Sequence, residues 1–462
     1  MQSHHSSKAN SDLDMRPRAR HNLWYSTYEM PLRSRTYSLV FLVVLAVPIS
    51  LLVLQTTRVA LAQVWSQSLD PSTIQHAIAL DPANPDLHFA LGKIMLLNAQ
   101  PNSQAAAEQE FQQATSMNPH SAVYWSGLGK ACYSSGNQPC ADAAFRRARQ
   151  LAPTKPQFAW EAAVNDVVSD QPKAAVEQLR TFLRLQPDGL EQTFQLLMRG
   201  FSDPNVVWGD LFGSSTDVGA KLQFLAYLAG NNDLESADTY WARLASEKAV
   251  VPVAAAGPYV DRMMARGSYR EAGRVWRYAV NENDLATHPV GGERNLVFNG
   301  GFEQDPLSTG LDWRSWQQPY LTLDFADRTA HSGVRAFRAD FTVPQNSVYE
   351  LAYQMVPVVP GQSYLLSAYV RSQAITSDSG PRLRVVDPKC NGCLDAATQG
   401  TSGTTEWHQV ATEFTAGPTT EMVRLSIWRP RGRSYPMEIG GQIWFDDVSL
   451  RPVSASTAGQ QR

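Results

Sequence analysis

The chain reads as three structural parts: a membrane-spanning helix, an all-α array of helix pairs and an all-β sandwich. Three observations predict this. An uncharged apolar run lies near the N-terminus, and a helical spacing of small and aromatic residues recurs through the middle. The last third alternates apolar and polar residues between Gly, Pro, Ser and Asp turns. At 462 residues the chain exceeds one ordinary domain, and its 43% apolar content is enough for real cores. The expected parts are a disordered tail over 1–35, a span over 36–57, helices over 64–290, strands over 292–453 and a second disordered tail over 454–462.

From Thr36 to Thr57 no charge occurs, and Arg35 and Arg58 bracket the run. A helix of this length covers about 33 Å, enough for a hydrocarbon core of about 30 Å. Pro48 is tolerable there, because freed backbone groups in membrane helices are satisfied locally. Residues 1–35 carry Lys8, Arg16, Arg18, Arg20, Arg33 and Arg35 against three acids, and after Arg58 no cation follows until Lys93. Positive charge stays inside, so the expectation is a single pass with a cytoplasmic N-terminus and a periplasmic or extracellular bulk. Cleavage after Ala60-Leu-Ala62 is the competing reading. A net charge of −3 gives no reason to expect nucleic acid as a partner.

Asp81-Pro82, Asn118-Pro119, Ala152-Pro153 and Gln186-Pro187 place Pro at intervals of 37, 34 and 34 residues. Ahead of the later three lie Ala107, Phe111 and Ala114, then Ala141, Phe145 and Ala148, then Ala175, Leu179 and Phe182. Small residues let a second helix approach closely, and the larger side chain fills the gap between neighbouring pairs. Trp125, Leu128 and Gly129 add a first-helix signature. Over about 85–187 this resembles the tetratricopeptide repeat, a 34-residue helix–turn–helix unit. Ala237, Trp241 and Leu244, then Ala272, Trp276 and Ala279, read as divergent units without the closing Pro, and Asp203–Ser215 as an irregular excursion. The resemblance implies a groove holding a protein partner; a rigid spacer is the alternative.

The β-rich third opens with Asn295-Leu-Val-Phe-Asn-Gly-Gly-Phe-Glu303, followed by Trp313 and Trp316. His331-Ser-Gly-Val-Arg-Ala-Phe337, Val359 to Val370, Trp407-His-Gln-Val410 and Gly441-Gln-Ile-Trp-Phe-Asp-Asp-Val-Ser-Leu450 follow in order. In that order the segments resemble the carbohydrate-binding modules of families four, nine and twenty-two, which share a galactose-binding-like jelly roll. The resemblance implies a structural Ca²⁺ at Glu303 and Asp447, with Asp446 beside them; the alternative is that these residues satisfy turn backbone groups. It also implies a polysaccharide partner, with Trp313, Trp316 and Tyr320 in one loop as stacking candidates. Trp428, Arg429, Arg431, Arg433 and Tyr435 form a second group, whose Arg run suits an acidic polysaccharide. Trp407 and Trp444 stand at core-like positions.

No Gly-x-Ser-x-Gly, His-Glu-x-x-His or phosphate-binding Gly-Lys-Ser/Thr motif occurs. Cys390 and Cys393 suit a local disulfide in an oxidising compartment, whereas Cys132 and Cys140 are open to either state. The expectation is a non-enzymatic scaffold in cell-envelope or exopolysaccharide assembly. Its alternatives are an enzyme of surface polysaccharide metabolism, with Glu303/Asp305 or Asp446/Asp447 as carboxylate pairs, and a purely structural envelope protein.

Overall fold

The computed structural model describes residues 35–97, 103–282 and 295–453. The cations of residues 1–34, His4-His5, the Gly291-Gly292 junction and the C-terminal tail lie outside the described residues. The chain forms two compact units, one ending at Pro119 and the other beginning at His120.

The first unit holds α1 (Arg35–Trp65), α2 (Pro71–Leu80), α3 (Pro85–Leu97) and α4 (Ser103–Met117). Among the described residues α1 alone is long and apolar enough to cross a membrane, from Leu39 to Trp65. Its Thr56 and Thr57 hydroxyls donate back to Leu52 and Leu54 carbonyls, so these polar groups are satisfied within the helix. The helix runs past the expected end at Thr57. In its last turns Ala62 is buried, packed in a small core with Ala77 and Leu87, and Trp65 is partly buried against it. Asp70 caps α2 by accepting from the Thr73 amide at 2.9 Å.

The second unit starts with pairs α5 (Ala122–Ser134) with α6 (Gln138–Leu151) and α7 (Pro156–Val168) with α8 (Pro172–Leu185). Pro at the first turn of α6, α7 and α8 presets the helical φ where no amide donor is needed. Ala107, Ala141 and Ala175 are wholly buried, as their spacing requires. A Cβ on Gly129 of α5 would meet the Phe145 ring of α6 at 2.9 Å, so the glycine sets how closely this pair approaches. Beyond α8 come α9 (Leu190–Phe201) and a π-helical segment, Val206–Phe212, within the expected excursion. Then follow α10 (Val218–Gly230), α11 (Leu234–Ser246), α12 (Val253–Ala265) and α13 (Tyr269–Glu282).

The β region comprises β1 (Leu321–Asp327), β2 (Ala336–Gln345), β3 (Tyr349–Pro357), β4 (Ser363–Ile375), β5 (Arg382–Val386), β6 (Asp395–Ala397), β7 (Gly403–Thr415), β8 (Met422–Arg429) and β9 (Ile439–Pro452). These make two antiparallel sheets, ordered β1-β2-β9-β4-β7 and β3-β8-β5-β6. Alternate residues of both sheets share one core, including Phe337, Leu366, Phe445, Leu383, Leu425 and Ile427. Buried Gln354 ties the opening segment to β3 by accepting from the Phe298 amide and donating to its carbonyl.

The last helices and the sheets share a seam. Asp261 of α12 accepts from Thr309 Oγ1 at 2.7 Å and the Gly310 amide at 3.0 Å, and pairs with Arg314. Trp276 of α13 meets Phe298 edge to face at 5.3 Å, and Phe298, Leu311 and Met422 complete the helical core. Arg270 pairs with Glu421 at 2.6 Å. Gly310 has φ +60°, and a Cβ there would lie 2.2 Å from the Trp276 ring. Gly310→Ala should therefore lower the stability of the second unit by about 1–3 kcal/mol, through left-handed strain plus overpacking. In a Trp276→Leu background the same change should cost less, and thermal unfolding of the four variants measures this coupling.

Candidate functional site

The outer side of the four-stranded sheet gathers aromatic rings and ions that are far apart in sequence. In β8, Val423, Leu425 and Ile427 point to the core, so Arg424, Ser426 and Trp428 face outward. In β5, Leu383 and Val385 are buried, which turns Arg382 and Arg384 outward. A register shift between Glu350 and Ala352 of β3 puts both Leu351 and Ala352 inside. That bulge leaves Glu350 and Tyr353 on the same outer side. Cross-strand pairing sets Trp428 between Glu350 and Arg382, and Ser426 between Tyr353 and Arg384.

The polar groups are joined in pairs. Arg424 forks onto Glu350, with Nε at 2.9 Å, and Ser426 donates to the same carboxylate at 2.5 Å. Arg384 grips Asp395 through two bonds of 2.7 Å. That hydrogen-bonded guanidinium holds the Asp395 carboxyl below the ordinary range, and Asp395 in turn raises Arg384. Each guanidinium also lies over a ring, Arg424 at 3.8 Å from the Tyr353 centroid and Arg384 at 4.4 Å from that of Trp428. Trp316 stands 6.0 Å from Tyr353 and is 45% exposed. Its segment is held beside β3 by paired Arg314 and Tyr353 backbone groups, and by Gln318 donating to the Glu350 carbonyl. The face thus sets the exposed Trp316 beside two half-buried rings that each carry a guanidinium, among paired acceptors and donors that could meet hydroxyl groups.

Of the stacking candidates expected from the sequence, this face collects Trp316 and Trp428. Trp313, expected to stack, and Arg429, expected to pair with carboxylates, lie inside instead. Trp313 is wholly buried, donates from Nε1 to the Asn299 carbonyl and packs on Phe302 at 5.2 Å. Arg429 is also wholly buried and gives its guanidinium to Ser379 O, Asn346 Oδ1, Ser347 O, Ser377 Oγ and Met437 O. It is a structural cross-brace, out of reach of a ligand. Tyr320 is 52% exposed and precedes β1, while Tyr435, with Arg431 and Arg433, lies exposed on the hairpin after β8. Asp378 holds that hairpin by accepting from the Arg433 and Ser434 amides. Tyr353, Glu350, Arg424, Arg382, Arg384 and Asp395 were missed by sequence reasoning. The alternation of β8 and β5 was the available signal.

Trp444 is buried, donating to Asp327, while Trp407 is half-buried beside His331. Both Cys132–Cys140 and Cys390–Cys393 are disulfides.

Glu303, Asp446 and Asp447 surround the loop 331–335. Glu303 Oε1 accepts from the Val334 and Arg335 amides at 2.9 and 3.3 Å. Buried Asp446 accepts from the His331, Ser332 and Asp447 amides, and burial pushes its carboxyl up to about 6. Asp447 bonds His331 Nδ1 and Ser332 Oγ, both at 2.7 Å. No three acidic or imidazole groups of this cluster bring ligand atoms within 4.8 Å of one another. Ca²⁺ requires six to eight converging oxygens. As arranged, these carboxylates staple the loop to β9 and the opening segment. Asp305 pairs with Arg335 at 2.8 Å.

No family model matches the chain, and no curated protein matches it. Among solved structures, MamA is 17% identical over 31% of this chain and 83% of its own, with a TM-score of 0.27. YrrB, a TPR protein with an unusual peptide-binding site, is 13% identical over 36% of this chain and 89% of its own, with a TM-score of 0.29. A CBM4 structure is 17% identical over 34% of this chain and 98% of its own, with a TM-score of 0.25. Likenesses at these scores carry no function across.

If the carboxylates act as loop staples, melting curves of the protein in EDTA and in millimolar calcium should coincide. A calcium-bound native state would instead gain about 2.7 kcal/mol at a hundredfold excess of ion over Kd.

Proposed function

We propose that this chain is a non-enzymatic, membrane-anchored binding protein with its bulk outside the cytoplasm. In this reading the tetratricopeptide-like array holds a protein partner, and the jelly-roll-like sandwich binds a polysaccharide in cell-envelope or exopolysaccharide assembly. The observation that carries the glycan part is the sheet face with exposed Trp316 beside half-buried Tyr353 and Trp428, set among paired Arg and acidic side chains. Because Arg424 and Arg384 are already paired with Glu350 and Asp395, ring stacking and neutral hydroxyl contacts dominate. A neutral glucan is therefore favoured over an acidic chain.

Anchoring is supported by the apolar length of α1. Orientation is supported by the cation bias of residues 1–35, and export by two disulfides, which persist in oxidising compartments. Retention of the anchor is supported by Ala62, which lies inside α1 and is buried against Ala77 and Leu87, where a peptidase has no extended substrate.

Two measurements test the reading. Titration of the full chain with a neutral glucan should show binding insensitive to salt. Trp428→Ala and Trp316→Ala should each weaken it by about fivefold, since a stacked ring contributes on the order of 1 kcal/mol; Arg431→Ala should leave it unchanged. Parental affinity in both Trp variants would remove the sheet face from the account. A reporter fused after residue 70 should be active only outside the cytoplasm, and activity inside would overturn the topology.

A further inference from the structure

A cavity of about 700 Å³ opens in the second unit, where the irregular excursion folds back over the array. Its walls come from α6, α8, the turn at Pro187, the start of α9 and the stretch from Leu211 to Ala220. The lining is mainly apolar, with Leu183, Leu190, Leu211 and Phe212 as the larger contributors. The volume lies within the roughly 300–1,000 Å³ of sites that enclose small organic molecules.

Three guanidinium groups border this apolar space: Arg149, Arg180 and Arg184. Arg180 is pinned, donating from Nε to the Leu211 carbonyl at 3.2 Å and from its terminal nitrogen to the Asp210 carbonyl. It is thereby fixed at the mouth by the same segment that forms one wall. Arg149 Nε is buried without a hydrogen-bond partner. Arg184 donates to Thr181 Oγ1 at 3.1 Å. Two acids share the lining with the three guanidiniums, Glu177 and Asp217, the latter also capping α10 by accepting from the Ala220 amide, and Asp166 acts on Arg149 from outside the lining. Apolar walls lined by more guanidinium than carboxylate groups favour a ligand that joins an apolar body to a negative acceptor.

We infer that this cavity binds a small amphipathic anion, an apolar body carrying one carboxylate, with the body against Leu183, Leu190, Leu211 and Phe212 and the carboxylate between Arg149 and Arg184. The site shares no residue with the sheet face, so it is independent of glycan binding.

The test is calorimetric titration of the full chain in nanodiscs with 4-phenylbutyrate, the neutral 4-phenylbutanamide and the cationic 4-phenylbutylamine. The carboxylate should bind, the amide about tenfold more weakly, and the amine not at all, as loss of a charge-assisted bond predicts. Arg149→Met and Arg184→Met should each weaken the carboxylate by about fivefold or more while preserving the thermal midpoint. Leu211→Trp should abolish binding by filling the space; Trp428→Ala should not alter it. Equal affinity for carboxylate and amide, parental affinity in both Arg variants, or no heat with millimolar carboxylate would each overturn the proposal. If an Arg variant melts early, Leu211→Trp and the amide comparison still decide it.

Discussion

The Trp276 ring has room only because residue 310 lacks a side chain, and this meeting of ring and backbone fixes the sandwich on the last helix pair. The Asp261 carboxylate holds the same loop from the other side, through a hydroxyl, an amide and a guanidinium. Edge-to-face packing and apolar burial supply most of the stabilisation, while the carboxylate selects one register of the loop. Arg314, held by Asp261, is also the residue whose backbone pairs with Tyr353. The seam therefore positions the segment that presents Trp316 beside the sheet.

On that sheet, the ion pairs do more than neutralise charge. A guanidinium gripped by a carboxylate and laid over a ring has few rotamers left, and the ring beneath it is equally restrained. Ordering of these side chains is settled on folding, so a ligand of the kind proposed would not have to immobilise them. The two Arg-acid pairs also reduce the long-range field of the face, which limits steering of charged polymers.

Much of the architecture was legible in the sequence because it depends on local periodicity. An uncharged run long enough to span a bilayer, Ala and Phe at repeated helical positions, and alternation in β8 each follow from neighbours along the chain. The site was less legible because it depends on pairing between distant strands. Nothing near Glu350 signals that a bulge turns both it and Tyr353 outward. Trp313 and Arg429 misled for a related reason. Each stands beside turn residues, which suggested exposure, yet each folds inward to polar partners that only tertiary structure supplies: the Asn299 carbonyl for the indole, and five acceptors for the guanidinium. The cavity beside Arg149 was invisible for want of any motif, since an irregular excursion forms one of its walls.

The apolar part of α1, Leu39–Trp65, is longer than a bilayer requires. At about 1.5 Å per residue it reaches roughly 40 Å, against a hydrocarbon core of about 30 Å. The surplus falls where α1 packs against α2 and α3, so in the proposed topology these helices would lie at the lipid headgroups with no linker between them and the span. Membrane thickness then becomes a variable of the protein. A thicker bilayer would compete with α2 and α3 for the last turns of α1, and a thinner one would tilt the helix and swing the first helices with it.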